Sequence, residues 1–313
     1  MVTQHDAFAT FVATLGRGPG RSRALTRAEA RAAFGMVLRR EADPHQIGAF
    51  LMLLRFRGED AEEIAGLTEA ARDQIDPPAT ADLDWPSYGS GRTRGAPWFL
   101  LAALALSRTG ATVLMHGSNE HSAGISVEAG LHALGLEPGV PSGRFQYLPL
   151  ARLSPRLDEL LGMRRLFGLR SPVNTVARLL NPANAAAGVD GVFHPAYLAV
   201  HLGVAQRMGR QRLLVLKGGG GEAERVPLKS GSAWLWDREI GQAEIDLPAV
   251  PGLAALTPST DTTDLLTAVW RGTAAPPTVI TTIVATIQLG LQALGWSAAE
   301  ADAARVWRGR LPA

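Results

Sequence analysis

The chain has 313 residues, of which 46% are hydrophobic, and this size suits one large or two smaller globular domains. It contains no cysteine, which excludes disulfides, a thiol nucleophile and thiolate metal sites. Residues 1–20 lack the apolar core of a signal peptide and the longest apolar runs are too short to cross a bilayer, so we expect a cytoplasmic protein without a membrane partner.

The positive charge is carried almost entirely by arginine. Net charge is only +2, but Lys217 and Lys229 are the only lysines among 31 basic residues. A guanidinium group binds phosphate bidentately and stacks on bases. A GC-rich coding sequence accounts for much of the bias, so position matters more than number. The arginines cluster at 17–31, 92–94 and 164–178, away from the acidic stretches, and this asymmetry suggests an anionic partner.

Residues 1–79 are predicted to form a small helical domain. Its predicted helices cover residues 6–15, 26–40, 44–57 and 60–75. The second helix begins with a capping box formed by Thr26 and Glu29. Its apolar positions exceed what so small a domain needs, so we expect one face to pack on the larger domain or on a second subunit. These positions include Phe34, Val37, Phe50 and Leu54.

Residues 80–313 are predicted to form a larger α/β domain, because strand-like and helix-like patterns alternate there. Predicted strands cover residues 113–115, 145–148, 189–193 and 213–216, with further short strands within 226–248. Predicted helices cover residues 97–107, 126–134, 156–166, 172–180, 194–208, 262–271, 277–294 and 298–308.

Two loops of small residues in the larger domain are candidate anion sites. The first contains Gly89, Gly91, Arg92, Arg94 and Gly95. It leads into the helix at 97–107, whose N-terminus favours an anion. The second, 116–119, follows the strand at 113–115. In a βαβ unit the two loops lie side by side at the carboxyl ends of the strands, where open α/β sheets hold ligands. Ordinary surface loops are the alternative.

A third loop combines four glycines, 218–221, with Lys217. Such backbone can form an N–H nest for phosphate, although a flexible turn is the alternative. Glu222 and Glu224 are candidate ligands for magnesium, or else are solvated or paired with Arg225. His116 is a candidate phosphate donor or a hydrogen-bonded structural histidine.

Several stretches, in the same order along the chain, resemble the anthranilate phosphoribosyltransferase family, glycosyltransferase family 3. Residues 26–75 resemble its N-terminal helical domain. Four motifs carry the rest of the resemblance: 89–91 lie where the family has its Gly-Thr-Gly-Gly-Asp diphosphate loop, 116–119 resemble Lys-His-Gly-Asn-Arg, 181–183 match Asn-Pro-Ala, and 217–224 resemble the His-Gly-x-x-Gly-x-Asp-Glu metal loop. The resemblance implies a helical domain that mediates a homodimer, joined to a mainly parallel, helix-flanked sheet of the nucleoside phosphorylase and phosphoribosyltransferase type.

The chain departs from these motifs at the positions that carry chemistry. Arg92 and Thr93 stand where the diphosphate loop has glycine and aspartate, and Ala223 replaces the aspartate of the metal pair. These changes are expected to weaken magnesium–diphosphate binding. Residues 87–94 and 163–179 resemble a second branch of the family, which shares the fold, lacks transferase activity as far as characterised, and binds nucleic acid along a basic groove of a homodimer.

On that resemblance the leading hypothesis is a non-enzymatic homodimer that binds DNA or RNA without a cofactor. The candidate contacts are Arg92, Arg94, Arg164, Arg165, Arg170, Arg178 and Lys217, with Arg21 and Arg23 as additions. The alternative is a transferase that uses a phosphoribosyl diphosphate-like donor and magnesium. Its candidate phosphate contacts are Gly89, Ser90, Gly91, His116, Gly117 and Asn119, with Glu224 on the metal and Arg164 facing the acceptor. A third possibility is a regulatory protein that retains the pocket for a phosphorylated small molecule.

Overall fold

The computed structural model describes residues 4–89, 95–118, 124–255 and 262–311. The chain divides into two compact units, one made of Met1–Pro77 and Leu150–Pro182 and the other of Pro78–Pro149 and Ala183–Ala313. The first is helical and the second is an α/β unit, which confirms the predicted fold class. None of the helices in the described ranges is long and apolar enough to cross a membrane.

The elements follow the predicted order along the chain, with the addition of one strand at 83–87 and one short helix at 150–153. The helices are α1 Gln4–Gly16, α2 Arg27–Leu38, α3 Pro44–Arg57, α4 Ala61–Arg72, α5 Trp98–Ser107, α6 Val127–Ala133, α7 Leu150–Leu153, α8 Pro155–Gly162, α9 Arg164–Phe167, α10 Val173–Arg178, α11 Ala196–Arg207, α12 Thr263–Arg271, α13 Pro277–Ala293 and α14 Ala299–Arg308. The strands are β1 Leu83–Ser87, β2 Val113–Gly117, β3 Phe145–Pro149, β4 Ala187–Val192, β5 Arg212–Lys217, β6 Gly231–Asp237 and β7 Gly241–Leu247. The single helix predicted at 156–166 is two helices, α8 and α9.

Capping residues start three of the first four helices. Thr26, Asp43 and Asp60 each accept a backbone N–H of the following turn, and a glutamate or glutamine three residues on completes a capping box in every case. These boxes satisfy amide groups that a helix N-terminus otherwise leaves without a partner. The helix starts in this unit are therefore set locally, as the sequence predicted for α2.

The helical unit extends beyond the predicted domain of residues 1–79. Residues 150–182, which were expected to belong to the α/β domain, pack with the N-terminal helices instead. Arg156 donates to the Val37 carbonyl at 3.3 Å, and Arg40 forms an ion pair with Glu159 at 2.6 Å. The helical unit is thus built from two separate stretches of chain.

The apolar residues that suggested a subunit interface are the core of this unit. The side chains of Phe34, Val37, Phe50 and Leu54 are completely buried. They pack against residues of the same unit, including Phe8, whose ring lies 5.4 Å from that of Phe50. These four side chains are therefore not exposed for contact with a second subunit, whereas the other expectation, packing on chain outside residues 1–79, agrees with the inclusion of residues 150–182 in this unit.

The α/β unit contains one sheet of seven strands in the order β3-β2-β1-β4-β5-β6-β7. The first five strands are parallel, while β6 and β7 are antiparallel additions at one side. One face of the sheet packs with α5 and α13 in the main hydrophobic core. Trp85, Met115 and Val189 belong to that face. The alternate residues point to the opposite face.

Candidate ligand-binding edge of the sheet

The order of the strands reverses between β1 and β4. The chain proceeds from β1 to β2 and β3 on one side, and the parallel strands β4 and β5 lie on the other. Such a switch point leaves a crevice outside the carboxyl ends of the strands, where open α/β sheets hold ligands. The carboxyl ends of β1, β2, β4 and β5 therefore define the candidate site.

The loops after β1 and β2 begin side by side, which confirms the adjacency predicted for them. The Ser118 N–H donates to the Ser87 carbonyl at 3.3 Å. A Cβ atom on Gly117 would lie 1.9 Å from the same oxygen, so only glycine allows this approach. Gly89 lies just after β1. Ser90, Gly91, Arg92, Arg94 and Asn119 lie outside the described residues.

His116 is held inside a buried polar network. It is the fourth residue of β2, and its side chain is completely buried. Its Nδ1 atom lies 2.8 Å from the Tyr88 hydroxyl and its Nε2 atom lies 3.2 Å from Asp84 Oδ1. Both ring nitrogens thus face protein groups, which removes His116 from the proposed phosphate contacts and favours the structural interpretation.

Arg210 extends this network across the sheet. Its guanidinium donates to Asp84 Oδ2 at 3.0 Å and to the Ala187 carbonyl at 3.1 Å. Burial alone would raise the pKa of Asp84, but the charges and hydrogen bonds of His116 and Arg210 hold that pKa below its ordinary value. The network links Tyr88, at the start of the first loop, to the interior of the sheet.

The glycine loop after β5 folds back on itself. The Gly221 and Glu222 N–H groups donate to the Gly218 and Gly219 carbonyls at 3.0 and 3.2 Å. A Cβ atom on Gly218 would lie 1.6 Å from the backbone carbonyl oxygen of Glu222. Two of the four glycine amides predicted to form a phosphate nest are therefore already bonded, since the Gly218 N–H donates to the Val192 carbonyl as well. Lys217, which precedes the loop, has an exposed side chain.

Glu224 reaches from this loop to the helix that follows the first loop. Its Oε2 atom accepts a hydrogen bond from the Phe99 N–H at 3.0 Å. Phe99 is the second residue of α5, whose N-cap residue Pro97 makes no side-chain capping bond. A carboxylate in this position satisfies a terminal amide and interacts favourably with the helix dipole.

Arg225 does not pair with either glutamate, contrary to one of the alternatives considered. Its guanidinium donates to four backbone carbonyls, at Val226, Lys229, Leu247 and Pro248. Burial lowers its pKa from the ordinary value of arginine. Arg225 therefore ties the segment after the glycine loop to the end of β7.

Sequence comparison matches residues 10–75 to a domain described as "Glycosyl transferase family, helical bundle domain". An anthranilate phosphoribosyltransferase from Novosphingobium aromaticivorans is 30% identical over 243 residues, covering 73% of each chain. The chain belongs to the anthranilate phosphoribosyltransferase family.

Two further relatives extend the comparison within this family. "Uncharacterized protein YbiB" from Escherichia coli is 28% identical over 248 residues, covering 74% of this chain and 77% of that protein. The crystal structure of anthranilate phosphoribosyltransferase from Thermus thermophilus superimposes with a TM-score of 0.76 at 23% identity, covering 98% of this chain and 94% of that one. This last similarity establishes the shared fold.

The residues present do not fit the magnesium–diphosphate site that the family implies. Magnesium in such sites is bound by one or two carboxylates together with substrate phosphates. Here Ala223 replaces one carboxylate, Glu222 is only 1% exposed, and Glu224 caps α5. No cluster of three histidine, aspartate or glutamate side chains suited to a metal occurs among the residues that the structure describes.

The candidate arginines lie in different environments. In the helical unit, the side chain of Arg165 is exposed, whereas Arg164 and Arg170 are half-buried. Arg178 is only 8% exposed, so it is poorly placed to contact a phosphate. Lys217 lies in the α/β unit, at the carboxyl end of β5.

The N-terminal arginine cluster is largely balanced by acidic partners. Arg21 is exposed, but Arg23 donates through both terminal nitrogens to Glu29. Arg27 and Arg31 on α2 form ion pairs, and so does Arg39, the C-cap residue of that helix; their partners are Glu69, Asp73 and Glu41 respectively. These last three pairs line an open groove of about 960 Å³ in the helical unit. Basic and acidic residues that lie in separate stretches of the sequence are therefore paired in the folded helical unit.

Sequence reasoning missed several buried polar residues within and against the sheet. Asp84 lies in an apolar strand, and its pairing with His116 depends on the register of β1 and β2. A second buried pair joins His201 Nδ1 and Asp190 Oδ2 at 2.7 Å. A single aspartate within an otherwise uncharged, buried strand is the signal that could have identified Asp84 and Asp190.

Proposed function

We propose that this chain is a nucleic-acid-binding homodimer that contacts the phosphate backbone through basic side chains and does not transfer phosphoribosyl groups. The observation that carries the proposal is the distribution of charge after β5. Lys217 is exposed, while Glu222 is buried and Glu224 is bound to the Phe99 amide. The side chain of Lys217 thus faces solvent, whereas the two carboxylates that would hold a metal are either buried, as in Glu222, or used to cap α5, as in Glu224.

This arrangement supports binding to a polyanion. Exposed basic groups neutralise phosphates and release counterions, which dominates the affinity of non-specific complexes and carries little sequence information. Arg165 and Arg21 supply further exposed charge in the helical unit. Arg92 and Arg94 remain candidates from sequence. Magnesium is not required for such binding, and a cytoplasmic location remains part of the proposal.

The proposal is tested by removing one exposed charge at a time. Lys217→Gln and Arg165→Gln should each weaken binding to all oligonucleotide sequences alike and reduce the log–log salt slope by about 0.7 to 0.9. Arg305→Gln is a control for the Lys217→Gln variant, because Arg305 is also exposed and basic but forms an ion pair with Asp302 on its own helix. Fluorescence anisotropy over a salt series measures both quantities. Unchanged slopes in both test variants would contradict these contacts.

The transferase alternative has support from the names of the relatives. Several are called anthranilate phosphoribosyltransferase, including the one from Novosphingobium. We expect no such activity here, because the metal loop has Ala223 and a capped Glu224. Incubation with anthranilate, phosphoribosyl diphosphate and magnesium should leave anthranilate fluorescence unchanged. A decrease that depends on both protein and magnesium would establish the alternative.

A further inference from the structure

An aromatic side chain is exposed where β4 ends. All six residues of β4 are buried, but Phe193, which follows directly, is 44% exposed. Its ring packs edge-to-face against His194, with the ring centroids 4.7 Å apart and the planes at 89°. The side chain of His194 is exposed as well. Two planar rings therefore meet the solvent at the carboxyl edge of the sheet.

The strand register brings a basic residue to the same edge. Val192 pairs with Lys217, and the Gly218 N–H donates to the Val192 carbonyl at 3.0 Å. Neighbouring strands lie about 4.8 Å apart, so the backbone of Phe193 follows β4 one residue beyond the register partner of Lys217, and both residues lie at the same edge of the sheet. This edge also borders the switch point between β1 and β4, where ligands of such sheets bind.

The chemistry of these groups suits a ligand with a planar ring and a phosphate. A partly exposed phenylalanine forgoes part of the stabilisation that full burial of its ring would provide. Aromatic side chains stack on unpaired bases with little regard to sequence, while basic residues follow the backbone. A duplex conceals the faces of its bases, whereas a single strand presents them. A free mononucleotide shares the same chemistry.

We propose that Phe193, supported by His194, stacks on a base of single-stranded nucleic acid whose backbone passes Lys217. This inference rests on the proposed function and adds a strand preference to it. Phosphate contacts alone would bind single and double strands by charge. Stacking on Phe193 selects strands whose bases are exposed.

The test compares Phe193→Ala with wild type on a single-stranded oligonucleotide and on its duplex. Stacking contributes about 1–3 kcal/mol per base, so single-strand affinity should fall by roughly 5- to 150-fold. Duplex affinity should change less than about twofold, and the salt slope should stay unchanged, because no phosphate contact is removed. Phe193→Trp should retain the affinity and Phe193→Leu should lose it, which separates stacking from bulk.

Ile240→Ala is a matched control, since Ile240 is 73% exposed in the turn between β6 and β7, at the opposite edge of the sheet. Circular dichroism confirms that each variant is folded. Equal losses for single strand and duplex, or no loss in Phe193→Ala, would overturn the stacking site while leaving salt-dependent binding intact. Binding of a nucleoside monophosphate as tightly as the strand would also overturn it. Absence of nucleic-acid binding in wild type would reject the proposed function itself.

Discussion

The Glu224 carboxylate accepts a hydrogen bond from the Phe99 amide at 3.0 Å, so it takes the position that an external anion would take at the N-terminus of α5. In the family resemblance, the same residue belongs to a metal loop. One side chain cannot serve both purposes fully, because capping fixes one of its two oxygens. If Glu224 held a metal, this edge of the sheet could bind a phosphoribosyl diphosphate-like donor. Because Glu224 caps α5 instead, we expect that the edge no longer binds such a donor.

Glu224→Ala should expose an anion site at α5. We expect the variant to lose about 1–3 kcal/mol of stability, since the Phe99 amide loses its charged acceptor, and to recover part of this loss in inorganic phosphate. Wild type should respond to neither phosphate nor magnesium. Thermal unfolding with and without each ion measures the response, with Glu244→Ala on the exposed face of β7 as the control. Stabilisation of wild type by magnesium and diphosphate would contradict this account.

For His116, the local sequence left open whether the side chain faces a ligand or the interior of the protein. In sequence it stands between a short apolar run and Gly117, which is compatible with a loop histidine aimed at a ligand. The strand in fact continues through Gly117, and the alternation of side chains then directs His116 to Asp84. That pairing depends on a partner 32 residues away in the numbering, 84 against 116, and no local spacing encodes it.

The secondary-structure elements were largely predictable, because their ends are determined locally. The capping box of Thr26 and Glu29 was evident in sequence and is present. Packing between distant elements was not predictable in the same way. Residues 150–182 join the helical unit through contacts such as the ion pair of Arg40 with Glu159. Amphipathic periodicity shows that a helix has an apolar face, but it does not show which other element covers that face.

The cap of α2 should make the helical unit sensitive to acid. The Arg23 guanidinium and the Thr26 amide lower the pKa of Glu29 to about 2. A lowered pKa in the folded state contributes stability that is present above the unfolded value, about 4.3, and is lost as pH falls through about 2. Glu29→Gln should therefore narrow the difference in unfolding free energy between pH 6 and pH 2.

The expected narrowing is about 0.2–1 kcal/mol, because the ion pair is partly exposed and screened. Urea unfolding followed by circular dichroism at both pH values measures it. Glu244→Gln, in an exposed position on β7, controls for the general effect of losing a carboxylate. If both variants change the pH difference equally, the cap contributes nothing specific.

For the whole molecule, the proposed homodimer needs a surface other than the one that sequence suggested. Phe34 and Phe50 are buried within the helical unit, whereas Phe56 on α3 is 90% exposed and Leu166 on α9 is 78% exposed. Phe56→Asp should therefore yield monomers, since burying an unpaired charge is costly. Val140→Asp is the control, because Val140 is 57% exposed in the α/β unit. Light scattering that finds a monomeric wild type at micromolar concentration would contradict the dimer.

The most direct test of the central claim is the salt dependence of nucleic-acid binding by wild type. Each phosphate contact contributes about 0.7 to 0.9 to the slope of log affinity against log salt. A titration of labelled single- and double-stranded oligonucleotides without magnesium should give a linear slope steeper than about −2, the value for three contacts. Base sequence should have little effect. Binding that is absent or insensitive to salt would contradict the account and favour a pocket for a phosphorylated small molecule.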